Sequence, residues 1–247
     1  MLSRRGWLAR IAAALAAHSL AREAAAREDT ARLRALLVDE IERDMAATAS
    51  STGLTRLSPA VRNALLTVAR ERFVPPELAH QAYLNRPLPI GLGQTISQPF
   101  IVALMTELVE PRPSDVMLEV GTGSGYQAAV LAACVRTVYS IEILADLAAR
   151  ARAALDVANV RNVETRVGDG YQGWPDAAPF DGIVVTAAPD HTPPALIEQL
   201  RPGGRLVIPV GSTLLGQDLL LIRKDAAGRA VTRSTIAVRF VPLTRAR

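Results

Sequence analysis

The sequence predicts an α/β protein, with a mostly parallel sheet covered on both faces by helices, an antiparallel terminal strand and a set of N-terminal helices. Three observations carry this. From residue 116 onward, strand-like and helix-like segments alternate. The strands, such as VMLEV and DGIVVTAA, are apolar throughout rather than at every second position, as strands buried on both faces are. Finally, QDLLLIRKD and STIAVRFVPL follow one another with no helix between them, so the sheet is expected to end in an antiparallel pair.

The chain opens with MLSRRGWLARIAAALAAHSLAREAAA: an arginine pair, a short alanine-rich run, and small residues ending near Ala24 to Ala26. This resembles a twin-arginine export leader and reads equally as a frayed amphipathic helix. It is too short and too polar to span a membrane. Leu33, Leu36, Leu37 and Ile41 then recur at helical spacing, and SPAVRNALLTVARERF repeats the pattern with Ser58 as N-cap and Pro59 at the first helical position. The block from about 29 to 72 is therefore expected to be helical. PFIVALMTELVE reads as a further helix. The alternating part follows with VMLEV (strand), SGYQAAVLAACV (helix), TVYSIE (strand), LADLAARARAALDVA (helix) and VETRVGD (strand), then DGIVVTAA, LIEQLRPGG and RLVIPVG as strand, helix and strand. This divides the chain into a leader over 1–28, a helical region carrying a lid over 29–110, and an α/β core over 111–247.

With 49% apolar and 21% charged residues, 247 residues can bury a substantial core. The net charge of +4 is uneven: residues 1–28 hold five arginines against two glutamates, so the body carries only +1. Lys224 is the only lysine, and no aromatic residues interleave with basic clusters, so a nucleic-acid surface is not expected. Cys134, the only cysteine, lies in the apolar run AAVLAACV and reads as a core residue, which excludes disulfides within the chain. His18, His80 and His191 show no metal-ligand spacing, and no metal is expected.

EVGTGSGYQ follows the first strand of the core and opens a helix, where an open α/β sheet binds its ligand. Gly121, Gly123 and Gly125 are spaced G-x-G-x-G, and Tyr126 occupies the third-glycine position of a dinucleotide fingerprint, which weakens an NAD reading. Glu142 ends the second strand about 20 residues beyond Gly121, where an acid can accept both ribose hydroxyls. Asp169, in GDG after the third strand, is placed to face an adenine amino group and reads equally as a turn aspartate. Together these features resemble S-adenosylmethionine-dependent methyltransferases, a Rossmann-like fold with a seven-stranded sheet whose last strand is antiparallel.

Upstream, ERFVPPELAHQAYLNRPLPIGLGQTISQPFIVALMTELVE adds a sharper resemblance, together with VGDGYQGW, PFDGIVVTAAP, LRPGGRLVIPVG and VRFVPLT. From about Leu57 to Thr244 the chain resembles the protein-L-isoaspartate (D-aspartate) O-methyltransferase family, with PLPIG and GQTISQP the most specific segments. The resemblance implies S-adenosyl-L-methionine as cofactor and isoaspartyl-containing proteins and peptides as partners. It implies Ser97 as the active-site residue, and Gln94, Thr95, Ile96, Gly121, Thr122, Gly123, Gly125, Glu142, Asp169, Gly170 and Thr244 as donor-binding positions. A cytoplasmic monomer without stable membrane association is expected, with export through the leader as the alternative. Asn85 departs from the family, standing where many relatives carry an acid, and the first 28 residues or so have no clear family counterpart. The competing readings are a methyltransferase of the same fold acting on RNA or a small metabolite, a NAD-dependent oxidoreductase, and a non-catalytic binder.

Overall fold

A computed structural model describes residues 28–245 apart from Thr213. The proposed leader lies, but for Glu28, outside the described residues. Helix α1 covers 28–47, followed by α2 (Ala49–Thr52) and α3 (Pro59–Thr67). The hairpin strands β1 (Leu88–Gly91) and β2 (Gln94–Ile96) precede α4 (Pro99–Leu108). The remainder alternates as β3 (Val116–Val120), α5 (Tyr126–Ala132), β4 (Thr137–Glu142), α6 (Ala145–Val157), β5 (Val163–Val167), β6 (Phe180–Val185), α7 (Pro194–Glu198) and β7 (Leu200–Ser212). It ends with β8 (Gly216–Lys224) and β9 (Ala230–Val238).

Strands β3 to β9 form one sheet in the order β5-β4-β3-β6-β7-β8-β9. The first five run parallel, β8 is antiparallel to β7, and β9 is antiparallel to β8, as the two helix-free strands foretold. One face packs on α1, α3, α4 and α5 in a continuous cluster from Leu37 through Met105, Met117 and Leu131 to Phe240. The other face centres on Leu118, Phe180, Leu196 and Ile208.

Two expectations change. The helical block is interrupted: α2 ends on Gly53 in a left-handed conformation, and α3 stops at Thr67 because Val68 is extended. The chain then re-enters as a 3₁₀ turn, Arg70–Phe73, that buries Arg70 and Phe73. Ser58 does cap α3, its hydroxyl accepting from the Val61 N–H, while that hydroxyl and the Ser58 N–H donate to Glu107 on α4. Second, the RPGG expected at the end of a helix lies inside β7, which pairs Leu200 with Phe180 and then Arg205 with Gly182, the extra residues forming an irregularity. The glycine-rich lid before α4, whose shape the sequence left open, is a β-hairpin, with Leu88 opposite Ile96 and Pro89 opposite Thr95.

Candidate active site

β3 is the middle of the parallel part of the sheet, with β4 and β5 on one side and β6 on the other. Ligands settle at the carboxyl ends of strands where the winding reverses in this way. The turn after β3 is shaped by its backbone. Gly121 and Thr122 donate to the Ile141 carbonyl at 2.8 and 3.1 Å, tying the loop to β4. Gly121 has φ 95°, and a Cβ there would come within 2.5 Å of the Thr186 hydroxyl. Only glycine fits. Gly125 is left-handed too, φ 87°, a backbone that side-chain-bearing residues rarely adopt, and a Cβ there would make ordinary contacts with Leu155 and Ala151 of α6 at 3.4 and 3.5 Å.

Glu142, at the tip of β4, is buried, and both carboxylate oxygens accept backbone N–H groups, from Gly123 at 2.8 Å and Leu144 at 3.0 Å. The Thr122 hydroxyl lies 2.6 Å from that of Ser140, which in turn donates to the buried Glu119. A cavity of about 970 Å³, counting its solvent-open part, lies above these groups. Gly121, Thr122, Gly123 and Glu142 form one side, and Gly170 and Thr186 another.

The rest of the wall comes from both flanks of the core. Gln94, Thr95, Ile96 and Ser97 enter from the hairpin, whose Ile90 carbonyl is held by Arg150 of α6 at 3.1 Å. Val241 to Thr244 enter from the chain after β9. That segment is pinned: Ala188 donates to the Val241 carbonyl and Leu243 to the Ala188 carbonyl, each at 2.8 Å, and the buried Gln217 amide bonds the Phe240 backbone twice. Ser97 is half-buried and its hydroxyl has no hydrogen-bond partner among the described residues. It lines the cavity and also a second groove, which shares Thr95, Thr186 and Val241 with it and extends past Pro87, Ile101 and Arg239.

The family model for protein-L-isoaspartate(D-aspartate) O-methyltransferase matches residues 42–247, most of the chain. The chain belongs to that family. A relative from Syntrophobacter fumaroxidans, protein-L-isoaspartate O-methyltransferase 2, is 54% identical over 211 residues, 85% of each chain. Among solved structures, a protein-L-isoaspartate O-methyltransferase superposes with TM-score 0.69 at 28% identity, covering 81% of this chain and 65% of that longer one, just under two thirds of its length. A Plasmodium falciparum chain assigned the same activity, solved with S-adenosyl-L-homocysteine, shares the fold at TM-score 0.66 and 24% identity, covering 76% of this chain and 92% of that one.

In this isoaspartate methyltransferase family member, ten of the twelve positions expected from sequence line one cavity. Gly125 does not line it; its open side faces Leu155 and Ala151 of α6. Asp169 stands just outside the wall, its carboxylate accepting the Tyr171 N–H at 2.9 Å as the cap of a 3₁₀ turn, the turn reading of that residue. Sequence reasoning missed Thr186, Tyr126 and Leu92 as wall residues. Thr186 was findable, since it follows the tip of β6 beside the reversal of the sheet; Tyr126 and Leu92 carry no signal of their own. Among the described residues no helix is long and apolar enough to cross a membrane.

Proposed function

We propose that this chain methylates the free α-carboxylate of L-isoaspartyl residues in proteins and peptides with S-adenosyl-L-methionine, initiating repair through a succinimide. One observation carries the reading: Ser97, with an unengaged hydroxyl, stands at the seam between the donor cavity and an open groove that an extended peptide can enter.

The cavity suits the donor on its own features. Its backbone side at Gly121 has no room for a side chain, and Glu142, though it accepts two N–H groups, keeps lone pairs for ribose hydroxyls. In this reading Gly121, Thr122 and Gly123 cradle the amino-acid part of the donor. Gly170 and Thr244 border its base, Asp169 fixes the turn that carries Gly170, and Gln94, Thr95 and Ile96 cover it. When bound, the donor supplies a sulfonium methyl group activated by its own positive charge.

The acceptor carboxyl resembles a chain terminus, with a pKa of about 3.5, so it is ionised at neutral pH. No general base is required, and alignment is the main demand. The Ser97 hydroxyl donates to one acceptor oxygen and leaves the other free to face the methyl group, while the hairpin keeps water out. The near-neutral body fits a protein acceptor rather than nucleic acid. We assign a monomer working in the cytoplasm, where the donor is made.

Methyl incorporation into an isoaspartyl peptide and its aspartyl counterpart tests the reading, with labelling expected of the first alone. Ser97→Ala is expected to lower turnover by roughly 10- to 100-fold, with donor affinity held within about twofold. Unchanged turnover would remove Ser97 from the reaction, and equal labelling of the two peptides would remove the acceptor.

A further inference from the structure

Arg70 is fully buried, in the 3₁₀ turn that follows α3. Its Nε donates to the Ala82 carbonyl at 2.9 Å, and one terminal nitrogen donates to the Ser97 carbonyl at 2.8 Å. The guanidinium carbon lies 4.8 Å from the ring centre of Tyr126, the first residue of α5 after the glycine loop. The other terminal nitrogen has no hydrogen-bond partner, and no carboxylate among the described residues forms an ion pair with this cation. Burial lowers the pKa of Arg70 to about 10, so it remains charged at neutral pH.

A buried cation without a counter-ion is unfavourable, and an apolar side chain of similar volume would serve simple packing better. What this arginine does that an apolar side chain cannot is join three segments at one point: the strand-free stretch at Ala82, the end of the hairpin at Ser97, and the start of α5 at Tyr126. Holding the Ser97 carbonyl fixes the peptide plane after Ser97, and Pro99 at the start of α4 restrains the chain on the far side. The direction of the Ser97 side chain follows from that clamp. Resting on the proposed role of Ser97, we infer that Arg70 is a positioning residue of methyl transfer: its grip on the Ser97 carbonyl and its stacking on Tyr126 set the serine hydroxyl in register with the donor cavity.

The test compares wild type, Arg70→Met and Arg70→Lys in steady-state kinetics with an isoaspartyl peptide, with S-adenosylhomocysteine affinity measured by calorimetry. Methionine fills the space without donating. Lysine keeps the charge and can reach one carbonyl but cannot fork between two. Arg70→Met is expected to lose about 10-fold or more in kcat, since a misplacement on the order of 1 Å at a reacting group costs up to about 100-fold, with donor affinity and acceptor KM within about twofold. Arg70→Lys should recover part of the loss. Wild-type kcat in either variant overturns the inference, as does donor affinity falling in step with kcat, or a lysine variant no better than methionine. If Arg70→Met does not fold, the lysine variant decides alone, with reduced kcat at unchanged donor affinity expected. A wild-type protein that leaves the isoaspartyl peptide unmethylated removes the acceptor reading, and is thereby distinct from a failure of Arg70.

Discussion

Glu119 stands one residue before the end of β3, fully buried, with the Ser140 hydroxyl donating to it. Burial, helped by the nearby charge of Glu142, pushes its pKa from 4.5 up to about 8. The folded protein therefore keeps this proton over a range in which the unfolded chain has released it. Stability from this group is complete below about pH 4.5 and is lost as pH rises toward about 8. Glu119→Gln, which accepts from Ser140 and does not titrate, is expected to flatten that dependence and to raise the urea midpoint at pH 8. An unchanged slope between pH 5 and 8 would mean that Glu119 is already ionised. Cys134, the core residue read from AAVLAACV, is buried with its thiol pushed up to about 11, and carries no such switch at neutral pH. At this scale the sequence was readable where chemistry and position coincide, as with Glu142 at a strand tip. Arg70 was not, because an arginine in a helical-looking run is ordinarily a solvated one, and only the distant Ser97 and Ala82 carbonyls give it a reason to be buried.

Hairpin β1–β2 is the element that sequence reasoning placed but did not shape. Its turn residues, Leu92 and Gly93, both have positive φ, 53° and 71°, the geometry that matches strand twist and that Asn-Gly provides with least strain. Leucine hides the signal. Held left-handed it costs about 1 kcal/mol, and in return it lines the cavity. Leu92→Asn is expected to leave the thermal midpoint unchanged or slightly raised while weakening S-adenosylhomocysteine binding in calorimetry. Equal affinity would show that the leucine adds nothing to the wall. The alternating strands and helices of the core were legible because each is a continuous apolar run bounded by turn residues. The end of α3 was not, since VARERF keeps helical spacing and what stops the helix is the burial of Arg70 and Phe73 against distant segments.

The N-terminal helices and the sheet share one core, and polar contacts fix their register. Asn85 shows how: its amide donates to Asp44 of α1 at 2.8 Å and its carbonyl accepts the Phe100 N–H of α4 at 3.0 Å. An acid at this position would set two carboxylates against each other while Asp44 is present. Asn85→Asp is thus expected to cost about 1–3 kcal/mol in urea denaturation, and adding Asp44→Asn should restore most of it. Additive effects would show that the two side chains do not couple. The sequence singled out Asn85 itself; its partner Asp44, about forty residues away, was not legible there.

The cavity is closed on one side by the hairpin and on another by residues 241–244, which come after the last strand of the sheet. A protease nick just before Val241 would therefore open one wall of the cavity while leaving all seven strands in place.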